Sequence, residues 1–229
     1  MDAFIQRLFS AASVLTLSGL SHTAETAAAR FPLWIAGTLL FLYGPVGALY
    51  ARCKGKPAEK SEGRFYAFLL LFGGLFLWLD RESAPAVALL WMLCGGCSRS
   101  LAGGFGVGSL LNALKLVGRS VTLKTHPNAV VCLRRDGRRL ESEQAADDAF
   151  RLILYMALHL VLSFFLCFGT GSFADALLLA AAAMGNSGWI LLLCTGGRPA
   201  CGVGAEAFLT LVMLLSRAWW VLRQLRKRK

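Results

Sequence analysis

Two short strings in this chain could hold a cation through backbone oxygen. Thr16-Leu17-Ser18-Gly19 and Gly185-Asn186-Ser187-Gly188 each follow a short amphipathic, alanine-containing segment, Asp2–Val14 and Phe173–Met184. Consecutive carbonyls facing one way can replace an ion's hydration shell, and glycine supplies the backbone freedom that such a string needs. Irregular backbone at membrane depth is tolerated only where it lines a cavity or is buried in protein. From the residues alone, a re-entrant pore loop and an ordinary interfacial helix both fit each unit.

A third string, Cys94-Gly95-Gly96-Cys97-Ser98-Arg99-Ser100-Leu101-Ala102-Gly103-Gly104, interrupts a long apolar stretch. Its four glycines each cost about 1 kcal/mol relative to alanine in a helix. An arginine facing lipid at mid-membrane costs about 2.5 kcal/mol or more. A break within Ser98–Gly104, facing a polar cavity, satisfies both constraints and gives Ser98, Arg99, Ser100, Gly103 and Gly104 a polar surrounding. Close packing of small residues accounts for the glycines but not for Arg99. Arg217 is a second charge inside an apolar stretch, with two readings: a functional intramembrane charge, or one that snorkels to the interface. Cys94 and Cys97 read as part of a small-residue face rather than a redox pair, because no α/β pattern surrounds them. His159 reads as a packed core residue. No phosphate-binding loop, metal-ligand cluster or nucleophile–base pair is present, so the chain reads as a non-enzyme with no cofactor.

The elements that must position these strings are helical. The chain has 229 residues, 56% of them hydrophobic and only 16% charged. Soluble domains carry about 25% charge. A bilayer crossing needs roughly 20 apolar residues, and five stretches approach that: Leu33–Tyr50, Phe65–Leu79, the interrupted Ala84–Gly118, Phe150–Phe168 and Ala205–Leu222. The net charge is +11, and 18 of the 24 lysines and arginines fall on Arg52–Arg64, Lys115–Arg151 and Arg223–Lys229. Five alternating crossings place all three segments on the cytoplasmic side. The basic tail then reads as a membrane-surface anchor rather than a nucleic-acid site.

Several strings resemble the TrkH-type membrane subunits of the Trk/Ktr/HKT potassium-transporter superfamily. Gly95–Gly104 is similar to that family's G-G-C-[SA]-G-S-T-A-G-G, with Arg99 at a glycine position and Leu101 at a threonine position. His126-Pro127-Asn128-Ala129-Val130 resembles its H-P-x-A-V segment, and Asp136-Gly137-Arg138 its N-G-R. Gly185-Asn186-Ser187-Gly188 resembles its fourth filter string, G-N-V-G. Met213-Leu214-Leu215-Ser216-Arg217 resembles the M-L-x-G-R of its last helix. The similarity runs from the family's second-repeat pore loop to the end of its fourth repeat, without a third pore loop, as in a truncated member.

The resemblance implies an all-α polytopic membrane protein of about five transmembrane helices and two re-entrant pore helices. Residues 1–51 form a pore loop and inner helix, 52–118 a partial repeat with a broken inner helix, 119–149 a basic cytoplasmic loop, and 150–229 a complete helix–pore-loop–helix repeat. It implies potassium uptake in a bacterial inner membrane, with K⁺ passing the carbonyls of Thr16–Gly19 and Gly185–Gly188 and a gate at Ser98–Gly104 and Arg217. The alternative is a non-conducting membrane scaffold that docks a cytoplasmic partner. The implied partners are the lipid bilayer, a second copy or larger assembly, and a cytoplasmic nucleotide-binding subunit, with no nucleic acid.

Overall fold

The computed structural model describes residues 2–15, 20, 60–95, 104–136, 138–195 and 199–226. Among them are eight α-helices: α1 (Asp2–Leu15), α2 (Lys60–Leu79), α3 (Ala84–Cys94), α4 (Val107–Thr125), α5 (Ser142–Thr170), α6 (Phe173–Gly185), α7 (Gly188–Thr195) and α8 (Val203–Arg226). A two-stranded antiparallel hairpin, β1 (Arg134–Arg135) and β2 (Arg138–Arg139), lies between α4 and α5.

Local chemistry sets most of the helix ends. A 3₁₀ turn at Arg81–Ser83 joins α2 to α3. It is tied by the Glu82 N–H to Asp80 Oδ1 at 3.0 Å and by the Ser83 hydroxyl to the Asp80 carbonyl at 2.6 Å. Pro85 sits in the first turn of α3, where its missing N–H costs nothing. Helix α5 stops at Gly171, which is left-handed at φ 71°, and α6 stops at Asn186, left-handed at φ 47°.

The core forms around α6, which packs against α3, α5, α7 and α8, while α1 lies on α8 and α4 joins α2 to α5. From Leu178 to Ala183 every residue of α6 is buried. A helix that is apolar all round belongs inside a bundle, and the run of four alanines lets its neighbours approach closely.

This packing corrects the expected five crossings with pore-loop repeats. Leu33–Tyr50 lies outside the described residues. Ala84–Gly118 is two helices, α3 of 11 residues and α4 of 19, neither apolar and long enough to cross. The last expected crossing, Ala205–Leu222, falls within α8, whose side chains beyond Ala218 lie outside the described residues. Among the described residues only α2, over Ser61–Leu79, and α5 are long and apolar enough. The described residues form a packed bundle of eight helices, and of the apolar stretches read as crossings the Ala84–Cys94 part is core.

The expected re-entrant loop is corrected as well. Phe173–Met184 is helical, but no extended filter follows it. The N–H groups of Asn186 and Ser187 close back onto the carbonyls of Ala183 and Ala182 at 3.4 and 3.0 Å, and the Ser187 carbonyl accepts from Ile190 at 2.9 Å. The Ala182 and Ala183 carbonyls finish α6 and the Ser187 carbonyl starts α7, so the string is a tight turn between two helices rather than an extended segment.

Candidate functional site

The proposed filter and gate residues separate into two groups. Thr16, Leu17, Ser18, Gly19, Ser98, Arg99, Ser100 and Gly103 lie outside the described residues. Gly104, Gly185, Asn186, Ser187, Gly188 and Arg217 are described, and the C-terminal end of α3 brings several of them near one another. A Cβ on Gly185 would stand 3.1 Å from the Met92 carbonyl oxygen, and one on Gly104 would stand 2.8 Å from that of Leu93. Asn186 donates to the Ser216 hydroxyl at 2.7 Å, and that hydroxyl bonds the Met213 carbonyl at 2.9 Å. Arg217 follows on α8, half-buried, and desolvation lowers its guanidinium below the ordinary arginine range. The result is a polar knot joining α3, the α6–α7 turn and α8. The turn is closed from solvent, with Ser187 fully buried. Thiol chemistry has no support nearby: burial pushes the Cys94 thiol up to about 11, leaving it protonated and poorly nucleophilic at neutral pH.

A second polar knot was not foreseen. Arg135 of the hairpin donates to Glu62 Oε2 on α2 at 2.9 Å and to Asn112 Oδ1 on α4 at 3.2 Å. Asn112 in turn donates to Asp148 Oδ2 on α5 at 2.7 Å. Asp136 accepts from the Ser61 N–H at 3.0 Å and from its hydroxyl at 2.9 Å, so the hairpin also ties down the start of α2. Glu62 is only 2% exposed. A buried carboxylate needs such partners, because desolvation alone costs several kcal/mol. The Asp136-Gly137 pair was the available sequence signal for a tight hairpin; nothing local announced that Glu62 lies beside it.

The outer surfaces of α2 and α5 form the largest feature. Only 17% of the apolar window of α2 and 22% of that of α5 is buried. On α5, Ile153, Leu154, Leu158, Leu160, Val161, Phe164, Phe165 and Phe168 are exposed. At 100° per residue these cover about half the helix circumference. The polar members of the same stretch point the other way: His159 is 1% exposed and Ser163 fully buried. Both imidazole nitrogens of His159 lack a hydrogen-bond partner among the described residues, and the Ser163 hydroxyl bonds the His159 carbonyl at 2.7 Å. On α2 the aromatic rings form an exposed ladder, with centroids 5.6 Å apart for Phe68–Phe72 and 4.8 Å for Phe72–Phe76. The opposite face carries Gly73, which lets Trp91 of α3 approach, and Trp91 Nε1–H donates to the Leu69 carbonyl at 3.1 Å.

No family model matches the chain, and no curated protein matches it. The sequence similarity to TrkH-type subunits therefore gains no independent support. The potassium-transporter function and the polytopic inner-membrane placement are corrected on structural grounds, together with the scaffold alternative that rested on the same topology. Both needed five crossings and pore-lining loops; the described residues supply two helices of crossing length and a closed, hydrogen-bonded turn. The described residues also hold no group of three or more His, Cys, Asp or Glu side chains arranged to bind a metal.

Proposed function

We propose that this chain is a non-enzymatic helical bundle that binds lipid, held to a bilayer by the outer faces of α2 and α5. The observation that carries this reading is the inverted polarity of α5, with histidine and serine inward and phenylalanine, leucine and valine outward over half its circumference. Soluble surfaces rarely expose contiguous apolar patches beyond a few hundred Å². A groove on a protein partner grips the narrower stripe of an amphipathic helix, whereas hydrocarbon covers a broad face without directional demands. From Phe150 to Phe168 the helix rises about 27 Å, close to the roughly 30 Å of a hydrocarbon layer. Trp78, 81% exposed at the far end of α2, suits the interface that tryptophan favours. The reading involves no ion path and no chemical step.

The test is flotation of the full chain with phosphatidylcholine vesicles, followed by extraction with high salt and alkaline carbonate. The native chain floats and resists both. Phe72→Lys with Val161→Lys places two cations on faces that make few contacts within the bundle, and each costs about 2.5–3.5 kcal/mol at mid-bilayer. The double variant therefore keeps its helicity and loses retention. A native chain that stays monodisperse and detergent-free in buffer beside vesicles overturns the reading.

A further inference from the structure

We propose that the arginine hairpin is a clamp for the phosphate of an anionic lipid headgroup. The inference rests on the bilayer reading above and adds to it which lipid is selected. In the antiparallel ladder Arg134 stands directly opposite Arg139. Both are exposed, and among the described residues neither has a carboxylate within ion-pair distance. Like charges facing each other across a strand pair destabilise it, and an anion shared between two guanidinium groups removes that cost, because arginine matches phosphate geometry with paired donors. A third cation is held beside them: Lys115 Nζ donates to the Arg134 carbonyl at 2.5 Å. Arg135, one residue along and therefore on the other face of the strand, is spent on Glu62. That ion pair fixes which side of the hairpin faces outward.

The hairpin also sits at headgroup depth. Glu62, which it grips, lies about 9 Å of helix before Phe68, where the aromatic ladder of α2 starts. On α5, Asp148 belongs to the polar knot and Phe150, two residues on, is already exposed and apolar. The clamp thus lies at the edge of both apolar faces, where a phosphodiester in the bilayer would lie.

The experiment is native mass spectrometry of the full chain released from detergent, titrated separately with phosphatidylglycerol and phosphatidylcholine. A basic residue near an anionic surface strengthens binding about fivefold. Phosphatidylglycerol therefore binds at least about fivefold more tightly than phosphatidylcholine. In the Arg134→Gln/Arg139→Gln variant phosphatidylglycerol loses more affinity than phosphatidylcholine, whose choline cation offsets its phosphate, and that ratio falls towards one. Equal binding of the two lipids to the native chain, or a preference that survives in the variant, overturns the clamp and leaves the bilayer reading standing. Absence of either lipid from the native chain overturns both. Inorganic phosphate or a single-stranded oligonucleotide that displaces phosphatidylglycerol at equal concentration overturns the assignment to a lipid.

Discussion

Two adjacent glycines on α2 provide a controlled test of the packing. A Cβ placed on Gly73 would lie 2.6 Å from three indole atoms of Trp91, whereas one on Gly74 meets nothing within 4 Å. Gly73→Ala must therefore separate α2 from α3 by nearly 1 Å or rotate the indole. Overpacking of this kind costs about 1–3 kcal/mol. Rotation also strains the 3.1 Å bond from Trp91 to the Leu69 carbonyl, a further 1 kcal/mol or so. Against this, alanine gains about 1 kcal/mol over glycine in a helix. Gly73→Ala thus loses about 1–3 kcal/mol, and Gly74→Ala gains up to about 1 kcal/mol. For a chain of this size each kcal/mol shifts the midpoint by about 2–4 °C, so the two variants separate by roughly 5–15 °C. The assay is thermal unfolding followed by far-UV circular dichroism in one mild detergent. Adding Trp91→Leu to Gly73→Ala makes room for the methyl group, and the pair then couples favourably. Equal midpoints for Gly73→Ala and Gly74→Ala would show that α2 and α3 do not pack through this glycine.

Three further outcomes follow from the same contacts. Arg135→Ala leaves Glu62 without its arginine at a buried site and costs about 3 kcal/mol in denaturant unfolding; a loss under 1 kcal/mol contradicts the role given to the hairpin. Gly104→Ala combines φ 98° with a Cβ 2.8 Å from backbone of Leu93 and Gly95, so it loses at least about 2 kcal/mol, while Gly106→Ala, with open space around it, bears only the conformational cost of φ 82°. Exposed Cys132 alkylates at neutral pH well before Cys94, whose reaction accelerates only as pH approaches about 11; site-resolved mass spectrometry that finds Cys94 modified as fast as Cys132 refutes its burial.

What could be read from the sequence was whatever local periodicity and composition govern. Asp2–Val14 and Phe173–Met184 are helices within a residue of the expected ends. Ala84–Gly118 is interrupted where its glycines gather, between Cys94 and Val107. The error lay in the destination of the apolar residues. An apolar run has the same composition whether it faces lipid, as α5 does in our reading, or forms the centre of a bundle, as α6 does. Gly185-Asn186-Ser187-Gly188 looked like a filter because glycine and asparagine permit unusual backbone; here Asn186 uses that freedom to end a helix. The polar knots escaped notice because their partners are distant in sequence. Glu62 and Arg135 stand 73 residues apart, and a basic segment of mixed charge gives no local sign that one of its arginines is turned inward.

The central claim, that hydrocarbon covers the outer faces of α2 and α5, is tested most directly by photolabelling. The full chain is reconstituted in vesicles that contain a phospholipid with a photoreactive group at mid-chain, and the adducts are mapped by mass spectrometry. The account predicts adducts on Leu71, Phe72 and Leu75 of α2 and on Leu158, Val161 and Phe165 of α5, with none on the buried Leu179–Ala183 of α6. Oxidation of those α2 and α5 residues by hydroxyl radicals in the same vesicles, without lipid adducts, would place them in water and contradict it.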